Sequence, residues 1–179
     1  MPALYGLVTM ELDDIYPIRD SAGSKEEPLD SYLSRIKKIL PNIPDDVLEQ
    51  WFFDNPQVIN DWDWLDYRSC KFEKGIITND ELDRLDFAET SVPVLIENNR
   101  TMGFSAHMQK IAKYFAQYGT WPRPVIFLAS IKATTNPPEW LKGRALPYLV
   151  EGHRRVAAYF LLKQQSYLKN RHQIWDIHA

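Results

Sequence analysis

The sequence predicts an α/β (α+β) fold, in which a small mixed sheet with helices forms the C-terminal lobe and a mainly helical lobe precedes it. Three observations carry that expectation. Apolar residues recur at helical spacing from Leu29 to Leu40, short apolar runs at 91–96, 124–129 and 147–150 are bounded by turn formers as buried strands are, and helical patterns follow the first and the last of those runs.

Taken in order, Leu4, Gly6, Val8, Met10 and Leu12 alternate at period two and predict an N-terminal strand before the turn signals at Tyr16-Pro17 and Ala22-Gly23-Ser24. A helix follows Pro28, with Leu29, Tyr32, Leu33, Ile36, Ile39 and Leu40 on one stripe and Pro41 as its stop. A second starts near Pro44-Asp45-Asp46, where carboxylates suit the positive end of the helix dipole, turns Val47, Leu48, Trp51 and Phe52 inward, and ends near Asn55-Pro56. A short third helix is expected from Gln57 to Leu65, and a fourth from Asn79-Asp80-Glu81, using Leu82 and Leu85.

Past Leu85 the texture changes, so the domain boundary is expected near Glu89, dividing a mainly helical lobe, 1–88, from an α/β lobe, 89–179. Ser91-Val92-Pro93-Val94-Leu95-Ile96, bounded by Asn98-Asn99, predicts a buried strand. Ser105 caps a helix carrying Met108, Ile111, Ala112 and Phe115 inward until Gly119. Pro124 to Ala129 predicts a strand, Thr134 to Pro138 a loop, Pro147 to Val150 another strand, and Gly152 opens a helix through Val156, Ala157, Phe160 and Leu161. Gln173 to Ile177 alternates and predicts a last strand.

With 179 residues the chain can bury a sizeable core, and its 45% hydrophobic and 25% charged residues are those of an ordinary globular protein. The net charge of −3 lacks the excess of Lys and Arg on which nucleic-acid affinity depends, so nucleic acid is not the expected partner. The single cysteine, Cys70, has no second thiol to pair with, and the sequence shows no signal peptide and no apolar stretch of membrane-spanning length; a cytoplasmic protein without a membrane partner is expected. Aromatic residues reach 13%, concentrated at Trp51-Phe52-Phe53 and at Trp62, Trp64 and Tyr67, a density that serves cores and interfaces alike.

The sharpest chemical feature is Leu149-Val150-Glu151-Gly152-His153-Arg154-Arg155, a strand that turns at a glycine into a helix with two arginines in its first turn. Free N–H groups and the dipole point outward there, glycine admits a close anion, and an arginine can add a charge-assisted contact. The alternative is a plain strand-to-helix turn whose arginines form surface pairs.

That tetrad, Gly152-His153-Arg154-Arg155, resembles the glycine-led helix start of the ParB/sulfiredoxin-like superfamily. The stretch Val92 to Arg100 is similar to that family's first strand and polar turn, and Ile111 to Val125 to its helix, glycine and second strand, so the resemblance runs from about Thr90 to the C terminus. It implies phosphate or nucleotide contacts at Gly152, His153, Arg154, Arg155 and Arg100, with ATP, ADP or CTP and Mg²⁺ as the implied cofactor. It places Glu97, Glu151 and His153 in catalytic positions, as base, metal partner or proton carrier. Sulfiredoxin chemistry is excluded, because His153 stands where the catalytic cysteine would be. The Glu-Asn motif and helix-turn-helix of a CTP-gated DNA clamp are not found.

His107, His172 and His178 show no ligand spacing, so no metal site is expected, and Ser105 near His107 lacks the glycine pattern of a nucleophile elbow. Asp54, Asp61, Asp63 and Asp66 around Trp62 and Trp64 read either as a partner-binding surface or as an amphipathic segment with solvated carboxylates. Two functions follow. The first is a nucleotide- or phosphate-binding protein performing phosphoryl transfer or NTP hydrolysis. The second is a non-enzymatic inhibitor or immunity protein that captures a basic protein partner by charge complementarity.

Overall fold

Pro28 at the N-cap and the helical stripe behind it produce α1, Leu29–Ile36, in the computed structural model, which describes residues 12–179. The strand expected over Leu4–Leu12 lies outside the described residues except for Leu12, which begins a 3₁₀ turn over Leu12–Ile15. The chain forms two compact units, 1–70 and 71–179.

In the first unit α1 is followed by α2, Asp45–Val47, which widens into a π-helical turn over Leu48–Phe53 closed by Asp54 N–H on Glu49 O, and by α3, Val58–Asp61. Trp51, Phe52, Trp62 and Tyr67 are buried and meet ring to ring, with Trp51 T-shaped on Tyr67 at 5.8 Å and on Trp62 at 6.2 Å. Both buried phenols donate to backbone carbonyls, Tyr32 to Ile15 at 3.0 Å and Tyr67 to Ile59 at 3.1 Å, so their burial leaves no donor unsatisfied. The aromatic-rich stretch thus builds a core, while Asp54, Asp61, Asp63 and Asp66 remain exposed around it.

The second unit is α+β. Its mixed, open sheet has the order β1-β4-β2-β3, formed by β1 Lys71–Thr78, β2 Val125–Ser130, β3 Tyr148–Glu151 and β4 Arg171–His178. β4 runs antiparallel to β1 and parallel to β2, and β2 runs antiparallel to β3. The helices are α4 Asn79–Arg84, α5 Val92–Met102, α6 Ala106–Tyr118 and α7 His153–Leu162. Val92, Met108, Ile111, Phe115, Val156 and Tyr159 pack with Val125, Phe127, Leu149 and Ile174 in one apolar cluster. No helix among the described residues is long and apolar enough to cross a membrane.

Two expectations are corrected. The boundary falls at Cys70/Lys71 instead of Glu89, because Lys71–Thr78 is an unforeseen strand whose eight residues pair with β4 at the opposite end of the sequence. Its Lys, Glu and Gly residues suit an exposed edge strand and hide it from propensity. Ser91–Ile96 is not a strand but the start of α5, with Pro93 in the first turn, where its missing N–H costs nothing. Val92, Leu95, Ile96 and Asn99 then fall on one inward face, a short apolar run that periodicity alone leaves undecided. Thr78, one residue before the expected start, caps α4 in a reciprocal capping box with Glu81.

His172 locks three segments together. Its Nε2 lies 2.9 Å from Asn79 Oδ1, which can only accept, so Nε2 carries the proton and Thr120 donates its hydroxyl to Nδ1 at 2.8 Å. The ring is buried against Trp121, Phe115 and Tyr159, and burial pushes its pKa down to about 4 from 6.5. A group whose folded pKa is depressed in this way disfavours protonation of the native state, so its contribution is complete above pH 6.5 and is lost as pH falls toward 4. We expect urea-unfolding free energies of the protein to fall with acidification in that window. A His172→Gln variant should be flatter by up to about 1.4 kcal/mol per pH unit, and identical slopes would remove His172 from the acid response.

Candidate functional site

Between β3 and α7 the backbone must reverse without a cap side chain, and Gly152 does this at φ 105°, in the left-handed region. A Cβ there would lie 2.6 Å from Val125 Cγ1, so both the angle and the fit require glycine. The strand-glycine-helix junction expected from the sequence is therefore present.

The two arginines behind it part company. Arg154 is exposed. Arg155 points inward, donating from Nη1 to the carbonyls of Arg123 at 2.8 Å and Pro124 at 3.0 Å, while Nη2 meets Glu151 Oε1 at 3.4 Å. Burial lowers its pKa to about 10 against the opposing pull of Glu151, and burial raises the Glu151 carboxyl despite that same partner. The family resemblance assigns Arg155 to phosphate contact and Glu151 to a catalytic, metal-partner position. The structure has them holding the start of β2 to the end of β3, because a guanidinium at the third position of this helix faces the sheet.

His153 is half-buried, and burial followed by the charge of Arg155 lowers its pKa to about 4, which keeps the imidazole neutral. Glu97 and Arg100 are exposed on α5, where a helix replaces the expected strand and polar turn, and no ion pair among the described residues ties either to the glycine junction. Sequence reasoning missed the neighbours from α6. His107, in the first turn of that helix, has its pKa lowered by partial burial and then by Arg154, Lys110 and Arg155, so the α6 start lies within the field of the α7 start. The signal available was Ser105, which caps α6 by accepting from Met108 N at 3.2 Å and fixes where its free N–H groups begin.

Elsewhere, Ser130 Oγ lies 2.9 Å from His178 Nδ1, and His178 Nε2 lies 3.6 Å from Glu73, in a cross-strand row over β2, β4 and β1. Glu73 also pairs with Lys71, and burial contributes little there, so the row has the character of a solvated ladder. Among the described residues no group of three or more His, Cys, Asp or Glu side chains is placed to hold a metal ion.

Comparison with protein-family models, with curated proteins and with solved structures returns no match.

Proposed function

We propose that the protein binds a phosphate-bearing ligand, a nucleotide such as ATP, ADP or CTP being the first candidate, at the N-terminal turn of α7. The observation that carries this is the meeting of the α6 and α7 starts, where the exposed cations Arg154 and Lys110 lie within electrostatic reach of His107, whose pKa is lowered first by burial and then by Arg154, Lys110 and Arg155. Two helices of 13 and 10 residues begin there, and their free N–H groups add to the positive field of those cations. The resemblance to ParB/sulfiredoxin-like domains supports the same reading through the β3–Gly152–α7 junction and the α6–β2 passage, and no longer through Val92–Arg100, which is helical.

The reading is of binding before catalysis. Glu151 is engaged by Arg155, and His153 is held neutral, so the groups free to meet an anion are Arg154, Lys110, His107 and backbone N–H. Phosphoryl transfer or hydrolysis would need Glu97 or a bound Mg²⁺ to supply what the turn does not. The inhibitor or immunity reading keeps its exposed carboxylates, but Trp62 is core and Trp64 is half-buried against it at 5.9 Å, so that surface would act by charge.

Thermal unfolding against inorganic phosphate, ATP, ADP and CTP, with and without Mg²⁺, tests the proposal. A ligand at a hundredfold excess over its Kd stabilises by about 2.7 kcal/mol. Arg154→Ala should cost about 1.5–3 kcal/mol of binding as a lost charged hydrogen bond while the apo melting temperature stays within a degree or so of the parent. Binding also carries a spectroscopic mark, since a dianion beside His107 reverses the direction of its shift and raises its pKa in an NMR titration. Absence of any stabilisation by phosphate and every nucleotide ends the proposal.

A further inference from the structure

A second basic site lies in the same unit, formed where the parallel strands β2 and β4 begin. Arg123, Lys169 and Arg171 line an open cleft of about 330 Å³ together with Tyr114, Trp121 and Gln173, and no carboxylate is among its lining residues. The chain as a whole has 24 acidic and 21 basic residues, so a concave surface with three cations and no acid runs against its composition. Glu81 is within electrostatic reach of Arg171, but its carboxylate accepts from the Thr78 N–H and hydroxyl at 2.8 and 2.7 Å in the α4 capping box.

Each wall of this cleft is tied down by a hydrogen bond that spans a long stretch of sequence. Arg155 holds the carbonyls of Arg123 and Pro124 from below. The Trp121 indole donates to Gln173 O at 2.7 Å, Lys169 N–H donates to Gly119 O at 2.8 Å, and Asn79 N–H donates to Asn170 O at 3.2 Å. Gly119, left-handed at φ 74°, leaves no room for a side chain, since a Cβ would meet Tyr167 O at 2.6 Å. Cationic side chains on an immobilised backbone bind anions at a lower ordering cost than mobile ones do. Tyr114 on α6, half-exposed and paired with Tyr118 at 4.4 Å, gives one wall a ring face.

We infer that this cleft binds a small molecule bearing a di- or triphosphate, its phosphates on Lys169 and Arg171 and its organic part against Tyr114. The volume lies at the lower end of the roughly 300–1,000 Å³ of ligand sites. The amide side chain of Gln173, exposed beside Arg171, offers both a donor and an acceptor to that organic part. This site is independent of the α7 turn proposed above, and its test keeps the two apart.

The experiment is a backbone amide NMR titration of the whole protein with pyrophosphate and, separately, with ADP. Saturable shifts are expected at Thr120, Trp121, Lys169, Arg171 and Gln173. The Lys169→Gln and Arg171→Gln variants, both at exposed positions, should each weaken them about tenfold or more. Arg154→Ala should leave them unchanged. Shifts confined to the Gly152–Arg155 turn, or shifts at the cleft that persist undiminished in the Lys169→Gln/Arg171→Gln double variant, overturn the inference. A short single-stranded oligonucleotide that saturates the same amides at lower concentration than ADP overturns the small-molecule assignment in favour of nucleic acid. Should the double variant fail to fold, the parent titration decides by itself, since no saturable shift at these amides rejects the site.

Discussion

Replacing Arg155 with methionine is expected to destabilise the protein by about 3–5 kcal/mol, the cost of leaving a buried charge without its partner. Methionine fills much of the space, so the loss is electrostatic. Glu151 would keep its desolvation without a counterion, and the carbonyls of Arg123 and Pro124 would lose donors at 2.8 and 3.0 Å. The sign of the pH dependence follows from the same geometry. The Glu151 carboxyl is already raised by burial, and without the guanidinium it rises further, so the variant should recover part of its deficit as pH falls and the carboxyl is protonated. Glu151→Gln placed in the Arg155→Met background should recover a similar part at neutral pH. Urea unfolding of the three proteins at neutral and acidic pH is the measurement. A loss below about 1 kcal/mol would show that the pair is dispensable, since that is the scale of a surface ion pair. Ligand binding in the β2–β4 cleft should weaken in parallel, because Arg155 holds the backbone of Arg123 and Pro124, which line that cleft.

In the first unit, Trp51→Ala should cost about 3–5 kcal/mol, the usual range for truncating a buried aromatic residue. Trp51 is 1% exposed and sits at the centre of a ring cluster, 4.7 Å from Phe52, 5.8 Å from Tyr67 and 6.2 Å from Trp62. Trp51→Phe should cost much less. It keeps a ring among rings, and it removes an indole N–H that has no hydrogen-bond partner among the described residues. If the alanine variant melted like the parent, these aromatics would not be the core of the unit and the interface reading of the acidic stretch would regain its tryptophans.

The sequence by itself determined the elements whose ends are marked by local chemistry. Pro28 precedes α1, Ser105 and Gly119 bracket α6, and Gly152 starts α7, because a cap or a left-handed residue acts within a few positions of itself. The apolar runs at β2 and β3 were legible for the same reason, and β4 through its alternation. The Gly152 junction, the centre of the proposed phosphate site, was readable because its geometry depends on one residue's freedom at φ 105°.

What only the tertiary structure decided depends on residues far apart in sequence. β1 becomes a strand through pairing Lys71 with His178 and Thr78 with Arg171, and nothing within its own eight residues reveals that partner. Ser91–Ile96 joins a helix because its apolar side chains are wanted on one face against α7, a demand that a short apolar run does not record. Arg154 and Arg155 are indistinguishable as letters, yet 100° of helical rotation per residue turns one to solvent and the other beneath β2. The cationic cleft is a further case, since Arg123 and Arg171 stand 48 positions apart and meet only because β2 and β4 lie parallel, Val125 beside Ile174. Local capping energies are fixed by neighbours in the chain, whereas strand pairing and charge convergence depend on which distant segments the core brings together.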